Sequence, residues 1–255
     1  MPFPFFFRKS GKRTATDGPA PLPEQIEAIR VRAMNGHHLE IVQWGQVLLD
    51  SVYMERDEKS AFEWFSIAAN AGFGPGHNMV GRCHQFGWGC PQDYKKAAKA
   101  YAASAAAGDE WGRYNLGIMT MRGIGMQRDL KTALDLFRHA AMNNHAKSMN
   151  LYARFLEEGW ETPQNQAEAL EWYRRSAEGG DYRGQHNYAT ALVSAGNLQE
   201  ALTWWRRAVV DATSDILLAM DRALSALGEH TDPVLQARVK QRLQEMRISA
   251  PQIPD

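Results

Sequence analysis

Glycine returns in this chain at a fixed interval of 36 residues: Gly36, Gly72, Gly108 and Gly180 keep the beat, and Asn144 fills the remaining slot. Glycine and asparagine are the residues that most readily take the left-handed conformation ending a helix. A period between 20 and 50 residues marks an array of small supersecondary units, each unable to bury its apolar face alone. That constraint excludes most single-core folds before any other residue is considered.

Further columns run in phase. Gly45, Gly81, Gly117, Ala153 and Ala189 form a small-residue column, and Gly87, Gly123, Gly159 and Ala195 another. Ala61, Ala97, Ala133 and Ala169 are each followed four residues later by Phe65, Tyr101, Phe137 and Tyr173, and after four more by Ala69, Ala105, Ala141 and Ala177. Positions i, i+4 and i+8 share one helix face. Each unit therefore reads as two helices, A and B. Helix A runs as in His77 to Phe86. Helix B starts at a capping column of Asp57, Asp93, Asp129 and Asn165, whose side chains can accept from first-turn N–H groups. The fifth unit is four residues shorter in its loop, which moves its cap to Asn197, its small residue to Ala201 and its aromatic to Trp205. Glu168 and Glu200 stand where a capping box places them. Ser51 replaces the second-column glycine in unit one, the unit that departs most from the pattern.

The organisation expected is a flexible tail over 1–22, a capping helix over 23–35, and repeats over 36–71, 72–107, 108–143, 144–179 and 180–212. Two closing helices over 213–248, roughly Ser214 to Leu227 and Val234 to Arg247, precede a tail over 249–255. The fold class is all-α: an α-solenoid closed at both ends by more polar helices.

Composition narrows the function. Lys+Arg and Asp+Glu are 29 each, giving no net charge. A dedicated nucleic-acid binder carries a basic excess, so none is expected. Two cysteines, Cys83 and Cys90, make no disulfide framework; both fall in apolar columns and read as core residues. No apolar run reaches membrane-spanning length, and the start of the chain, from Met1 to Lys9, lacks the order of a secretory signal. The location expected is cytoplasmic.

The strings Asn115-Leu116-Gly117, Gly123-Ile124-Gly125, Asp129, Ala133, Phe137 and Ala140-Ala141 resemble the Sel-one-like repeats (suppressor/enhancer-of-lin repeats), relatives of the tetratricopeptide repeat. Gly159, Ala169-Leu170-Glu171-Trp172-Tyr173 and Ser176-Ala177 repeat the likeness in unit four, and it covers roughly residues 36–210. The resemblance implies a bacterial protein with a right-handed superhelix. It also implies a scaffold or adaptor for protein–protein contacts, without catalysis, with a protein or peptide partner and a monomeric state. The alternative is an accessory or enzymatic protein of a cell-envelope or metal-uptake system. The family's secreted branch staples its units with disulfides at positions where this chain has no cysteine.

Chemistry-bearing residues read mostly as structure. His84 shares an otherwise mainly apolar column with Leu48, Thr120, Leu156 and Leu192, His37 and His145 open A helices, and His139 lies on a solvated face. No His pair with metal-ligand spacing occurs, so no metal or cofactor is expected. Gly87-Trp88-Gly89 lies between helices, not after a strand, and reads as a turn rather than a phosphate cradle.

The relatives contact peptides from helix A, and the repeat phase carries their positions to a mixed wall here. Its polar members are Asn78, Arg82, Gln85, Lys147, Asn150, Arg154, Arg183 and His186. Trp111, Tyr114, Ile118 and Met121 are its apolar and aromatic members. A second candidate surface is the loop column Trp88, Ile124 and Trp160, either a ridge or side chains tucked over the turn.

Overall fold

The structure is a computed structural model and describes residues 21–249. The expected tails at 1–22 and 249–255 lie almost wholly outside the described residues. Among these there are thirteen α-helices and no strand. In order they are α1 (Glu24–Met34), α2 (His38–Asp50), α3 (Glu58–Asn70), α4 (Gly74–Phe86), α5 (Tyr94–Ala106), α6 (Glu110–Arg122) and α7 (Leu130–Met142). Then come α8 (Ala146–Glu158), α9 (Gln166–Glu178), α10 (Tyr182–Ser194), α11 (Leu198–Asp211), α12 (Ser214–Ala226) and α13 (Pro233–Ser249). The chain is an all-α solenoid of repeats. The even-numbered helices from α2 to α10 are the A helices, and the odd-numbered ones from α3 to α11 the B helices.

The turn column explains the punctuation. Gly36, Gly72, Gly108, Asn144 and Gly180 all have positive φ, between 62° and 86°. Each B helix from α3 to α9 starts on its expected cap: the side chains of Asp57, Asp93, Asp129 and Asn165 accept first-turn N–H groups. The same four residues donate their own N–H to helix A, to the carbonyls of Leu48, His84, Thr120 and Leu156, at 2.8–3.0 Å. One backbone clip per period thus closes the loop between the paired helices.

The chain divides into two compact units: residues up to 112 together with 124–126, and residues 113–123 together with 127 onward. In the first, α1 covers α2, and α2 to α5 pack each on its neighbour. Its core holds Ile41, Trp44, Leu48, Leu49, Phe65, Met79 and Cys83. Gly81 lies where a Cβ would stand 2.6 Å from the Tyr101 ring, so the small-residue column faces the aromatic column. In the second unit, α7 to α11 continue the alternation and α12 and α13 close it, around Phe137, Phe155, Trp172, Tyr173, Trp205, Leu217 and Val239. The aromatic column is buried throughout: Phe65, Tyr101, Phe137, Tyr173 and Trp205 are at most 3 % exposed.

Several expectations need correction. Helix α4 begins at Gly74, three residues before His77, because Pro75 fits a first turn that needs no N–H from it. Asn197 makes no side-chain cap; its N–H bonds the Leu192 carbonyl at 2.8 Å. Glu200 accepts from Trp204 Nε1 and the Tyr188 hydroxyl, each at 3.4 Å, instead of completing a capping box. Ala195 is not left-handed (φ −85°); after the four-residue deletion Gly196 takes that role (φ 82°). Ser51 takes the left-handed position despite its side chain (φ 48°), so unit one keeps the common loop entry. Cys90 is half-buried, not core, with its Sγ 3.4 Å from His84 Nδ1.

One column of the packing had no place in the sequence reading. Gly76, Gly112 and Gly184, again spaced by the period, lie against Ala68, Ser104 and Ser176 of the preceding B helix. Ser104 Oγ is 2.8 Å from both the Gly74 carbonyl and Asp109 Oδ2, and Asp109 also accepts from the Gly112 N–H at 2.9 Å. Asp181 repeats this as the cap of α10, accepting from the Gly184 N–H at 3.0 Å.

Candidate functional site

In the first unit, the wall residues of α4 divide by their packing. Asn78 is buried. Gln85 Oε1 accepts from the Tyr101 hydroxyl at 2.6 Å, tying helix A to the aromatic column of helix B. Arg82 is half-buried, its guanidinium 5.0 Å from the centre of the Trp88 ring. Trp88 is half-buried against the core and stacks on Phe86 at 4.9 Å. The wall and the loop column are therefore not two surfaces here: Arg82 belongs to one and Trp88 to the other, and they touch. Trp111, near the start of α6, is 45 % exposed. Ile124, in the same unit, is partly buried.

In the second unit the same pairing returns, with Arg154 lying 5.2 Å from the centre of the Trp160 ring. Trp160 meets Phe155 edge-on at 5.4 Å and packs against the core. The loop column is thus tucked over the turn rather than raised as a ridge. Tyr114, Ile118 and Met121 are half-buried at the core's margin. Burial pushes the Tyr114 phenol up to about 12. Asn150 is buried and accepts from Asn187 Nδ2 at 2.8 Å. Lys147 is half-buried.

The α10 residues serve the fold. His186 is buried, and its Nδ1 accepts from Trp205 Nε1 at 3.1 Å. Burial lowers its pKa to about 4, helped by the Arg183 charge and opposed by Asp215. Arg183 pairs with Asp215 at 2.8 Å and reaches Thr213 at 3.3 Å, linking α10 to the first closing helix. Burial pushes the Asp215 carboxyl up, but hydrogen bonds from Arg183 and Thr213 prevail and hold it at about 2. Nearby Asp181 is buried with Oδ1 unpartnered, and desolvation raises its pKa.

The wall thus contains buried or bonded residues (Asn78, Gln85, Asn150, Arg183, His186), a half-buried Arg82 laid on Trp88, and the exposed Arg154 and Trp111. The arginine–tryptophan contact was missed from the sequence, although its signal is present: Arg and Trp stand six residues apart at both 82/88 and 154/160. No group of three or more His, Cys, Asp or Glu side chains able to hold a metal occurs among the described residues. No helix among them is long and apolar enough to cross a membrane.

A Sel1 repeat model matches five stretches of the chain, residues 42–73, 75–109, 112–145, 146–181 and 186–209. The fold is shared with a Sel1 repeat protein from Oxalobacter formigenes (TM-score 0.72, 18 % identity, covering 88 % of this chain and 99 % of that one). It is also shared with c5321, a protective antigen of uropathogenic Escherichia coli (TM-score 0.63, 24 % identity, covering 89 % of this chain and 49 % of that one). The immunity protein Pa5087 of Pseudomonas aeruginosa is similar as well (TM-score 0.56, 15 % identity, covering 92 % and 90 %). These structural likenesses concern the fold. The five matched repeats, coinciding with the helix pairs and their 36-residue beat, establish that the chain belongs to the Sel1 repeat family.

Proposed function

We propose that this protein is a non-catalytic, monomeric cytoplasmic adaptor that binds a protein or peptide partner through the A-helix side of its repeats. The observation that carries this reading is the contrast between the aromatic columns. The repeated helix-B aromatics Phe65, Tyr101, Phe137, Tyr173 and Trp205 are sealed in the core, whereas Trp111 on helix A is nearly half exposed. A large apolar side chain at the surface of a repeat array is the kind of anchor that dominates binding energy. Burying it fully is worth about 1.5–3 kcal/mol. Within the second unit taken by itself, Tyr114, Ile118 and Met121 are half-buried apolar residues of helix A and Lys147 is a half-buried cation. Two free thiols, Cys83 and Cys90, suit a reducing compartment.

The test is site-specific photo-crosslinking in the native cell. A photoreactive residue at position 111 is expected to capture a discrete partner, and one at the exposed helix-B position 139 is not. Trp111→Ala should then lower recovery of that partner while far-UV circular dichroism stays helical. Equal capture at both positions, or full recovery with Trp111→Ala, would overturn the assignment.

A further inference from the structure

The chain is neutral, but its second repeat is not. Between Gly74 and Ala106 stand Arg82, Lys95, Lys96 and Lys99 against one acid, Asp93. That acid is already engaged. Its carboxylate accepts from the backbone N–H groups of Lys95 and Lys96, at 2.9 and 3.0 Å, and these bonds hold it below the usual carboxylate range. Arg82 forms no ion pair among the described residues. Its contacts are the Met79 sulfur at 3.9 Å and the Trp88 ring. A second guanidinium, Arg56, lies 5.8 Å from the centre of the same ring and is joined to Glu58 at 2.9 Å. Phe86, stacked on Trp88, is 52 % exposed. Tyr94, 43 % exposed, is tied to the end of α4 through Gln92, whose Nε2 donates to the Tyr94 hydroxyl at 3.1 Å and to the Gln85 carbonyl at 2.7 Å.

We propose that this face of the first unit, built from Arg56, Arg82, Phe86, Trp88 and Tyr94, docks an acidic segment of a partner protein. It rests on the protein-binding reading above and names the partner's chemistry. A guanidinium laid on an indole has already lost much of its side-chain freedom, so less remains to be lost when it grips a ligand. Its outer N–H edge matches a carboxylate fork. Phe86 and Tyr94 supply apolar surface for a neighbouring side chain of the segment. Lys95, Lys96 and Lys99, all exposed, extend a positive field that favours encounter with acids.

A random peptide library displayed on phage and selected against the whole protein tests this. Enriched sequences are expected to place Asp or Glu beside an aromatic or aliphatic residue. A synthetic copy should bind by fluorescence anisotropy and weaken as salt rises to about 0.3 M. Arg82→Gln should weaken it about tenfold or more, Arg56→Gln by less, and Arg154→Gln not at all, with thermal unfolding unchanged in each. Enrichment of neutral sequences would overturn the acidic partner and leave the binding reading standing. No enrichment would overturn both. Tighter binding of a single-stranded oligothymidine than of the selected peptide would overturn the proposal in favour of a nucleic acid.

Discussion

The second and fourth repeats, one in each compact unit, share a set of bonds displaced by 72 residues. In both, a helix-B tyrosine donates to a helix-A side chain: Tyr101 to Gln85 at 2.6 Å, Tyr173 to Glu157 at 2.7 Å. In both, a loop glutamine donates to that same residue's carbonyl at 2.7 Å, Gln92 to Gln85 and Gln164 to Glu157. In both, an arginine lies on the loop tryptophan. Their charge is opposite. Repeat two has one acid, while repeat four surrounds Lys147, Arg154, Arg174 and Arg175 with Glu157, Glu158, Glu161, Glu168, Glu171 and Glu178. The framework asks only for shape and a hydrogen-bond acceptor, which glutamine and glutamate both supply. Everything outside it is free to set what each repeat attracts.

The largest expected effect separates the repeats at their helix–helix contact. Gly81→Val should cost about 3 kcal/mol, since even one added carbon collides with the Tyr101 ring. Ala153→Gly, at the matching place in repeat four, should cost about 1 kcal/mol through helix propensity. Urea unfolding of both variants checks the asymmetry, and equal losses would refute it.

Acid should come next. Asn78, Asn150 and His186 share one repeat position, and only the histidine titrates. Its folded pKa, about 4, lies below its unfolded value of 6.5. The unfolded chain therefore takes up the proton first, and stability is lost as pH falls through that window. The loss between pH 7 and pH 4.5 should reach about 2 kcal/mol, smaller in His186→Gln, whose amide oxygen can still accept from Trp205. Hydrogen exchange at the two pH values should place the loss in α10 and α11. A uniform loss along the chain would refute its assignment to His186.

These outcomes bear on what was legible beforehand. The turn column and the buried aromatic column could be read directly, because a left-handed helix end and a close helix contact each restrict residue type sharply. Ser51 could not be placed: its left-handed backbone is imposed by the surrounding turn against its own preference. Ser51→Gly should accordingly stabilise the protein by about 1 kcal/mol, seen as a higher melting temperature, whereas Gly159→Ala should destabilise it by a similar amount. The fate of the wall residues was equally hidden. Repeat phase puts His186 and Arg154 on the same helix side, but only packing decides that one meets Trp205 in the core and the other stays outside. Asn197 does not cap α11, although Asn165 caps α9 with Glu168 bonded to Trp172 just as Glu200 is to Trp204; nothing in the residue type distinguishes the two.

The smallest effect would sharpen the charge contrast. With Arg82→Gln removing the first unit's contribution, Glu158→Gln together with Glu161→Gln should raise the affinity of an acidic peptide for the Arg154–Trp160 pair a few-fold. That corresponds to about 0.5 kcal/mol, the worth of exposed charge pairs, and is read by fluorescence anisotropy. An unchanged affinity would mean that the local acids do not govern what that pair accepts.

The backbone clip that recurs once per period, from the residue opening each B helix to a carbonyl of its own A helix, depends on no side chain. A genetic event that duplicates or excises one whole period would hand the chain a finished joint with nothing new to evolve. Protein length in such a lineage can change by copying and loss, leaving point mutation to tune the cargo.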